Sequence, residues 1–93
     1  MRLFIIQIIV SQYLFFGFEE VGSPYITTPS VITILSDSTI YLSKPHPFVL
    51  HYDVKYKDFY IFKGGFIKIN KDYAIIEAII EKKRKYIKYY GTK

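Results

Sequence analysis

The sequence predicts an all-β (β-dominated) fold: a small β-sandwich over residues 1–80, followed by a short helical or basic tail over residues 81–93. Three observations predict it. Aromatic residues make up 19% of the chain, and Ile, Phe and Tyr dominate it beside Lys. Aromatic and β-branched side chains suit a pleated, half-buried surface. The apolar runs are short and are set off by Pro, Gly, Asn, Asp and Ser, as strands divided by turns are. Several of them alternate apolar and polar residues with period two. A hydrophobic content of 51% excludes a disordered chain. At 93 residues without cysteine the chain is one domain, with no disulfide scaffold, thiolate metal site or Cys nucleophile. A domain of this size buries only about 60% of its unfolded surface, so it leans on partners.

Taken in order, residues 2–10 read as a continuous apolar strand and residues 13–21 as a second. Gly22-Ser23-Pro24 makes a loop. Residues 25–28 and 31–35 are short strands divided by Pro29-Ser30. Ser36-Asp37-Ser38 turns the chain, because Ser and Asp side chains bond nearby backbone amides. Residues 39–43 resume the extended pattern, and two prolines keep residues 44–47 out of any central strand. Residues 48–54 and 58–63 read as strands around a turn at Lys55-Tyr56-Lys57. Gly64-Gly65 permits a sharp bend or bulge. Residues 66–69 alternate with period two, Asn70-Lys71-Asp72 makes a hairpin turn, and residues 73–78 form the return strand. Residues 79–90 read as helical, with Ile79, Ile80 and Ile87 on a sparse apolar face. No internal repeat and no linker divides the chain.

Charge is unevenly spread around a formal net of +5 and a pI near 9.4. Residues 3–18 carry none, Glu19-Glu20 follows, and the last segment is heavily basic. Tyr86, Tyr89 and Tyr90 interleave with those lysines, a pattern that suits phosphate contact and base stacking as well as a solvated end. The uncharged run at 3–18 is the one membrane candidate. It is short for a spanning helix, is interrupted by Gln7, Ser11 and Gln12, and is rich in strand formers, so it reads as strand ahead of transmembrane helix or leader.

Chemistry-bearing residues are sparse. His46 lies between two prolines and His51 within a predicted strand, at a spacing that shares no helical face and completes no metal site. No Gly-x-Ser-x-Gly elbow surrounds a serine, and no Gly-x-x-x-x-Gly-Lys loop is present. Asp37, Asp53, Asp58 and Asp72 are isolated turn or surface residues. The expectation is a protein that is not an enzyme and uses no cofactor.

One stretch resembles a known family. Thr28-Pro29-Ser30, then Ile34-Leu35-Ser36-Asp37-Ser38-Thr39, then Lys44-Pro45-His46-Pro47-Phe48-Val49-Leu50 occur in the order of features of the N-terminal β-sandwich of the ATP synthase epsilon subunit, called delta in mitochondria. The most specific piece is Phe59-Tyr60-Ile61-Phe62-Lys63-Gly64-Gly65-Phe66-Ile67-Lys68-Ile69, similar to that family's Gly-Gly-Phe strand pair, with Ala74-Ile75-Ile76-Glu77-Ala78 after it. The likeness covers residues 31–78, about half of the chain. It departs from the family where a Pro-Gly-His-Ala-Pro loop is Ser36-Asp37-Ser38-Thr39-Ile40, and where the C-terminal helical hairpin of bacterial members has no room. The resemblance implies a non-catalytic rotor subunit in obligate complex with the gamma subunit and the c-ring, peripheral on the matrix side of the mitochondrial inner membrane. It implies Ser36, Asp37, Ser38 and Thr39 at the rotor interface. Gly64, Gly65 and Phe66 become a structural turn, with Phe66 entering the core.

Two other readings stay open. The basic, Tyr-rich end suits a small protein of an organellar ribosome that binds rRNA, although its basic residues gather at one end of the sequence instead of along a sheet face. An accessory subunit of a respiratory membrane complex, anchored by residues 3–18, is the other. The dominant residues have A/T-rich codons, which fits an organelle-encoded gene.

Overall fold

In a computed structural model of the chain, residues 8–45, 47–80 and 82–91 are described. They form ten antiparallel strands: β1 (Ile9–Phe15), β2 (Gly17–Glu20), β3 (Ser30–Leu35), β4 (Thr39–Leu42), β5 (Phe48–His51), β6 (Val54–Tyr56), β7 (Phe59–Phe62), β8 (Gly65–Ile69), β9 (Tyr73–Ile80) and β10 (Lys83–Tyr90). One sheet has four strands in the order β1-β3-β4-β5, and the other has six in the order β2-β10-β9-β8-β7-β6. The predicted all-β sandwich is therefore the observed class.

Period-two alternation decides which residues meet between the sheets. From the four-stranded sheet, Phe15, Ile32, Ile34, Ile40 and Leu42 point inward; from the other, Phe18, Tyr60, Phe62, Ile67, Ile69, Ala74, Ile76, Ala78, Ile87 and Tyr89 meet them. Both sheets are bridged by continuous chain at both edges. At one edge β1 becomes β2 through Phe16, whose N–H donates to the Tyr90 carbonyl at 2.8 Å. At the other edge Tyr52 N–H still bonds Ser38 of the first sheet at 3.0 Å, while Asp53 N–H already bonds Ile61 of the second at 2.8 Å. Phe15 and Phe18 flank the first crossing and both pack on the Tyr89 ring, at centroid distances of 5.7 and 6.1 Å.

The turns follow the sequence closely. Asn70 Oδ1 accepts from the N–H groups of Asp72 and Tyr73 at 2.9 and 3.0 Å, which shapes the predicted hairpin between β8 and β9. Gly64, with φ of 104°, takes the positive-φ position of the β7–β8 turn, so Gly64-Gly65 ends one strand and opens the next instead of bulging within one.

Several expectations are corrected. Residues 79–90 are not helical: β9 and β10 form a long hairpin, and β10 also pairs with β2. Lysine and isoleucine fit a helix locally, but ladder bonds on both sides of β10 and the burial of Ile87 and Tyr89 outweigh that preference. Residues 83–90 thus lie inside the sheet. The strand read over 48–54 breaks at Tyr52-Asp53, where the chain changes sheets, and Lys55 and Tyr56 belong to β6, leaving the turn at Lys57-Asp58. Residues 25–28 contribute a single bridge, Ile26 to Phe18. The first two strands run over 9–15 and 17–20, and the start of the first expected strand, residues 2–7, lies outside the described residues, as does His46. Because 9–15 and 17–20 are strands, a helical anchor over 3–18 is excluded; among the described residues no helix is long and apolar enough to cross a membrane.

The buried phenols carry a pH consequence. Burial, with the neighbouring Tyr13, Tyr52 and Asp58 adding to it, pushes Tyr60 up to about 12. Burial raises Tyr89 as well, with Glu20 adding to it. An acid whose folded pKa lies above its unfolded value holds its proton more tightly when folded. Its contribution is complete below pH 10 and is lost as pH rises through the folded value, with a slope approaching about 1.4 kcal/mol per pH unit per phenol. The melting temperature is expected to fall steadily from pH 10 to 12, with part of the tyrosinate absorbance at 295 nm emerging only with unfolding. A flat melting temperature across that window contradicts the burial of both rings.

Candidate interaction surfaces

Each sheet turns one face to the core and the other outward, and the two outward faces differ in chemistry. On the four-stranded sheet the outward positions are Ile9, Gln12 and Leu14 of β1, Val31, Thr33 and Leu35 of β3, Thr39 and Tyr41 of β4, and Val49 and His51 of β5. None is Lys, Arg, Asp or Glu, in a chain with 23% charged residues. A groove of about 440 Å³ runs across this face, floored by Thr33 and Thr39 and walled by Ile9, Leu35, Tyr41 and Val49. The polar atoms on it are paired sideways. Gln12 Nε2 donates to Thr33 Oγ1 at 3.1 Å, and Thr39 Oγ1 meets His51 Nδ1 at 3.2 Å. Those pairs keep Thr33 and Thr39 below a tenth exposed, while Ile9, Leu14, Tyr41 and Val49 stand out by 55%, 58%, 40% and 48%. The face offers apolar contact, with Gln12 paired to Thr33 and Thr39 to His51, which suits a protein partner.

On the six-stranded sheet the outward positions mix basic and aromatic side chains with Ile61, Ile75, Ile79, Glu77 and Glu19. The register puts Phe59, Lys68, Ile75, Lys88 and Glu19 in one row across β7, β8, β9, β10 and β2. Lys68 Nζ lies 5.4 Å from the Phe59 ring centre and 5.5 Å from that of Tyr73. Lys88 Nζ lies 5.7 Å from Tyr73 and 5.0 Å from Tyr90. The Tyr73 hydroxyl beside the Lys68 ammonium raises that lysine and is itself lowered by it. Tyr90 donates to Glu19 Oε1 at 2.6 Å, which raises the Tyr90 phenol.

The residues expected at a rotor interface form the β3–β4 turn and the start of β4. Ser36 N–H donates to the Ile8 carbonyl at 2.8 Å, and Ser36 Oγ accepts from Ile8 N–H at 3.1 Å. Ser38, with φ of 69°, donates to Leu35 at 3.3 Å and accepts from Tyr52. Ser36 and Asp37 are exposed and Ser38 is half-buried, whereas Thr39 is 4% exposed and engaged with His51. Gly64, Gly65 and Phe66 lie in the other sheet. Gly65 takes the inward position opposite Ala78, so alternation sends Phe66 outward, edge-on to Phe59 at 5.6 Å. The expectation that Phe66 enters the core is therefore corrected; Ile67 does. Tyr89 is likewise fully buried and unavailable for stacking, while Tyr86 and Tyr90 face out.

Sequence reading did not single out Lys68, Tyr73 or Phe59 as surface partners. Alternation in 66–69 already put Lys68 opposite in face to Ile67, but its neighbours come from two other strands, β7 and β9. Among the described residues no group of three His, Asp or Glu is placed to hold a metal ion. No known protein family, curated protein or solved structure matches the chain.

Proposed function

We propose that this protein is a non-catalytic central-stalk subunit of an F-type ATP synthase, seated on the matrix side of the mitochondrial inner membrane between the gamma subunit and the c-ring. The observation that carries the reading is the uncharged outer face of the four-stranded sheet. Nearly a quarter of the residues are charged, yet none falls on that face, and a surface kept free of charge while its polar groups pair with one another fits permanent cover by another subunit. Support also comes from the course of the resembling segment, which runs through β3 to β9 and contributes to both sheets. Ser36 and Asp37, exposed at the rim of the uncharged face, are the contact residues of the tight β3–β4 turn.

The test is affinity purification through a C-terminal tag at moderate salt, with mass spectrometry of the bound proteins. Gamma, alpha, beta and c subunits are expected. Val49→Lys places an ammonium on the uncharged face, on its edge strand β5, where covering it costs several kcal/mol. It is expected to remove those partners while changing the melting temperature by less than about 4 °C, since an exposed surface substitution costs roughly 0.5 kcal/mol. Ribosomal proteins and rRNA in place of stalk subunits refute the assignment.

A further inference from the structure

The basic residues that gather late in the sequence do not gather late in the molecule. Folding brings Lys68, from the middle of the chain, two strands away from Lys88, a separation of about 10 Å at ordinary strand spacing. Each ammonium sits between two aromatic rings, and the Tyr73 ring is shared between them. Among the described residues Arg84 pairs with Glu77 and Lys85 with Glu20, and the charge of Asp58 acts on Lys68. Glu19 ends the same row, but its carboxylate accepts from the Tyr90 hydroxyl.

The rings are held in place. Phe59 is fixed edge-on by Phe66, and Tyr90 by Tyr25 at 5.3 Å and by its bond to Glu19. All of these groups stand on one pleated surface, flanked by exposed Tyr56 and Tyr86. A flat face with cations between preordered rings offers two things at once: positive charge for a phosphate backbone, and π-faces or edges for planar bases. Single-stranded nucleic acid presents both, whereas a duplex hides its base faces in the stack. An acidic peptide or an anionic lipid surface would use the charge and leave the rings without planar partners.

We propose that the outer face of the six-stranded sheet binds single-stranded nucleic acid without sequence preference, its phosphates on Lys68 and Lys88 and its bases against Phe59, Tyr73, Tyr86 and Tyr90. This surface is on the opposite side of the sandwich from the uncharged face, and the proposal does not rest on the stalk reading.

The experiment is fluorescence anisotropy of the full chain with a labelled single-stranded RNA of about 12 nucleotides, a length within single-domain site sizes, titrated from low to physiological salt. Binding is expected to weaken steeply with salt. The double variant Lys68→Gln/Lys88→Gln is expected to weaken it at least about tenfold and to flatten the slope of log K against log salt by about 1.4, since each phosphate contact to a single strand contributes about 0.7. Removing the same charge in Lys44→Gln/Lys63→Gln, away from the row, is expected to leave the slope within about 0.3 of the wild type. Tyr73→Leu is expected to weaken binding about tenfold without changing the slope, which separates ring from charge. Melting temperatures of all variants identify any that fail to fold. No binding at low salt overturns the proposal, as do equal losses in both double variants. Tighter binding to duplex RNA, to a poly-glutamate peptide or to phosphatidylserine vesicles than to the single strand also overturns it.

Discussion

Gly65→Ala is expected to cost about 3–5 kcal/mol, enough to unfold much of a domain whose whole stability is of order 5–15 kcal/mol. Gly65 opens β8 on the inward face, opposite Ala78 of β9. A Cβ built there overlaps the Glu77 carbonyl oxygen and lies 2.6 Å from Ala78 Cα. Those neighbours are backbone, which cannot swing aside as a side-chain tip can, so the two strands must part where they are hydrogen-bonded. Overpacking of this kind sits at the upper end of its usual range. The adjacent Gly64→Ala is expected to cost less, about 1–2 kcal/mol, because its penalty is the left-handed φ of 104° together with a 3.3 Å approach to the Ile79 carbonyl. Urea denaturation of both variants checks the order. A Gly65→Ala protein as stable as wild type would show that the β8–β9 register is not as described.

Tyr89→Ala is expected to cost about 3–5 kcal/mol, and Tyr89→Phe about 1–2 kcal/mol. The ring is fully buried and packs on Phe15 and Phe18, on either side of the crossing from one sheet to the other. Its hydroxyl donates to the Lys44 carbonyl at 2.6 Å, which ties β10 to the proline-flanked connection after β4. Removing the ring therefore opens a cavity where three segments converge, whereas removing the hydroxyl leaves one carbonyl without its donor. The denaturation midpoints of the two variants should separate clearly at a constant m-value. An alanine variant within about 1 kcal/mol of wild type would mean that β10 is peripheral, as a basic tail would be.

These two residues also mark how far the sequence could be read. Gly64-Gly65 was legible as a sharp turn because positive φ is a local demand. The turns at 36–38 and 70–72 were legible for the same reason, since Ser, Asp and Asn bond amides a few residues away. Tyr89 was not legible. Between lysines and tyrosines its burial has no local signal, and the same letters fit a basic helix, a stacking surface or a strand. What decides is β2, some seventy residues earlier in the chain, which pairs with β10 from Gly17–Tyr90 to Glu20–Ile87 and turns a two-stranded ribbon into the interior of a six-stranded sheet.

The candidate surfaces divide in the same way. The sequence pointed to Ser36, Asp37, Ser38 and Thr39 through a family likeness, and they form the β3–β4 turn and the first residue of β4, but only Ser36 and Asp37 are exposed there. The uncharged face behind that turn is assembled from alternate residues of four strands, none of which looks unusual in its own segment. The Lys68–Lys88 row is assembled likewise, from strands that are not neighbours in the sequence.

By itself, then, the sequence determined that this chain is all-β, where most turns fall, and which residues of a strand share a face. Those properties depend on contacts within a few residues, where backbone preference and period-two alternation act. Only the tertiary structure decided that residues 83–90 are an interior strand, that Phe66 faces out and Tyr89 in, and that one outward face is uncharged while the other interleaves lysine with aromatic rings. Each of those depends on which strand lies beside which. That pairing is set by the free energy of closing two sheets around one core, a sum over distant residues that no local window contains.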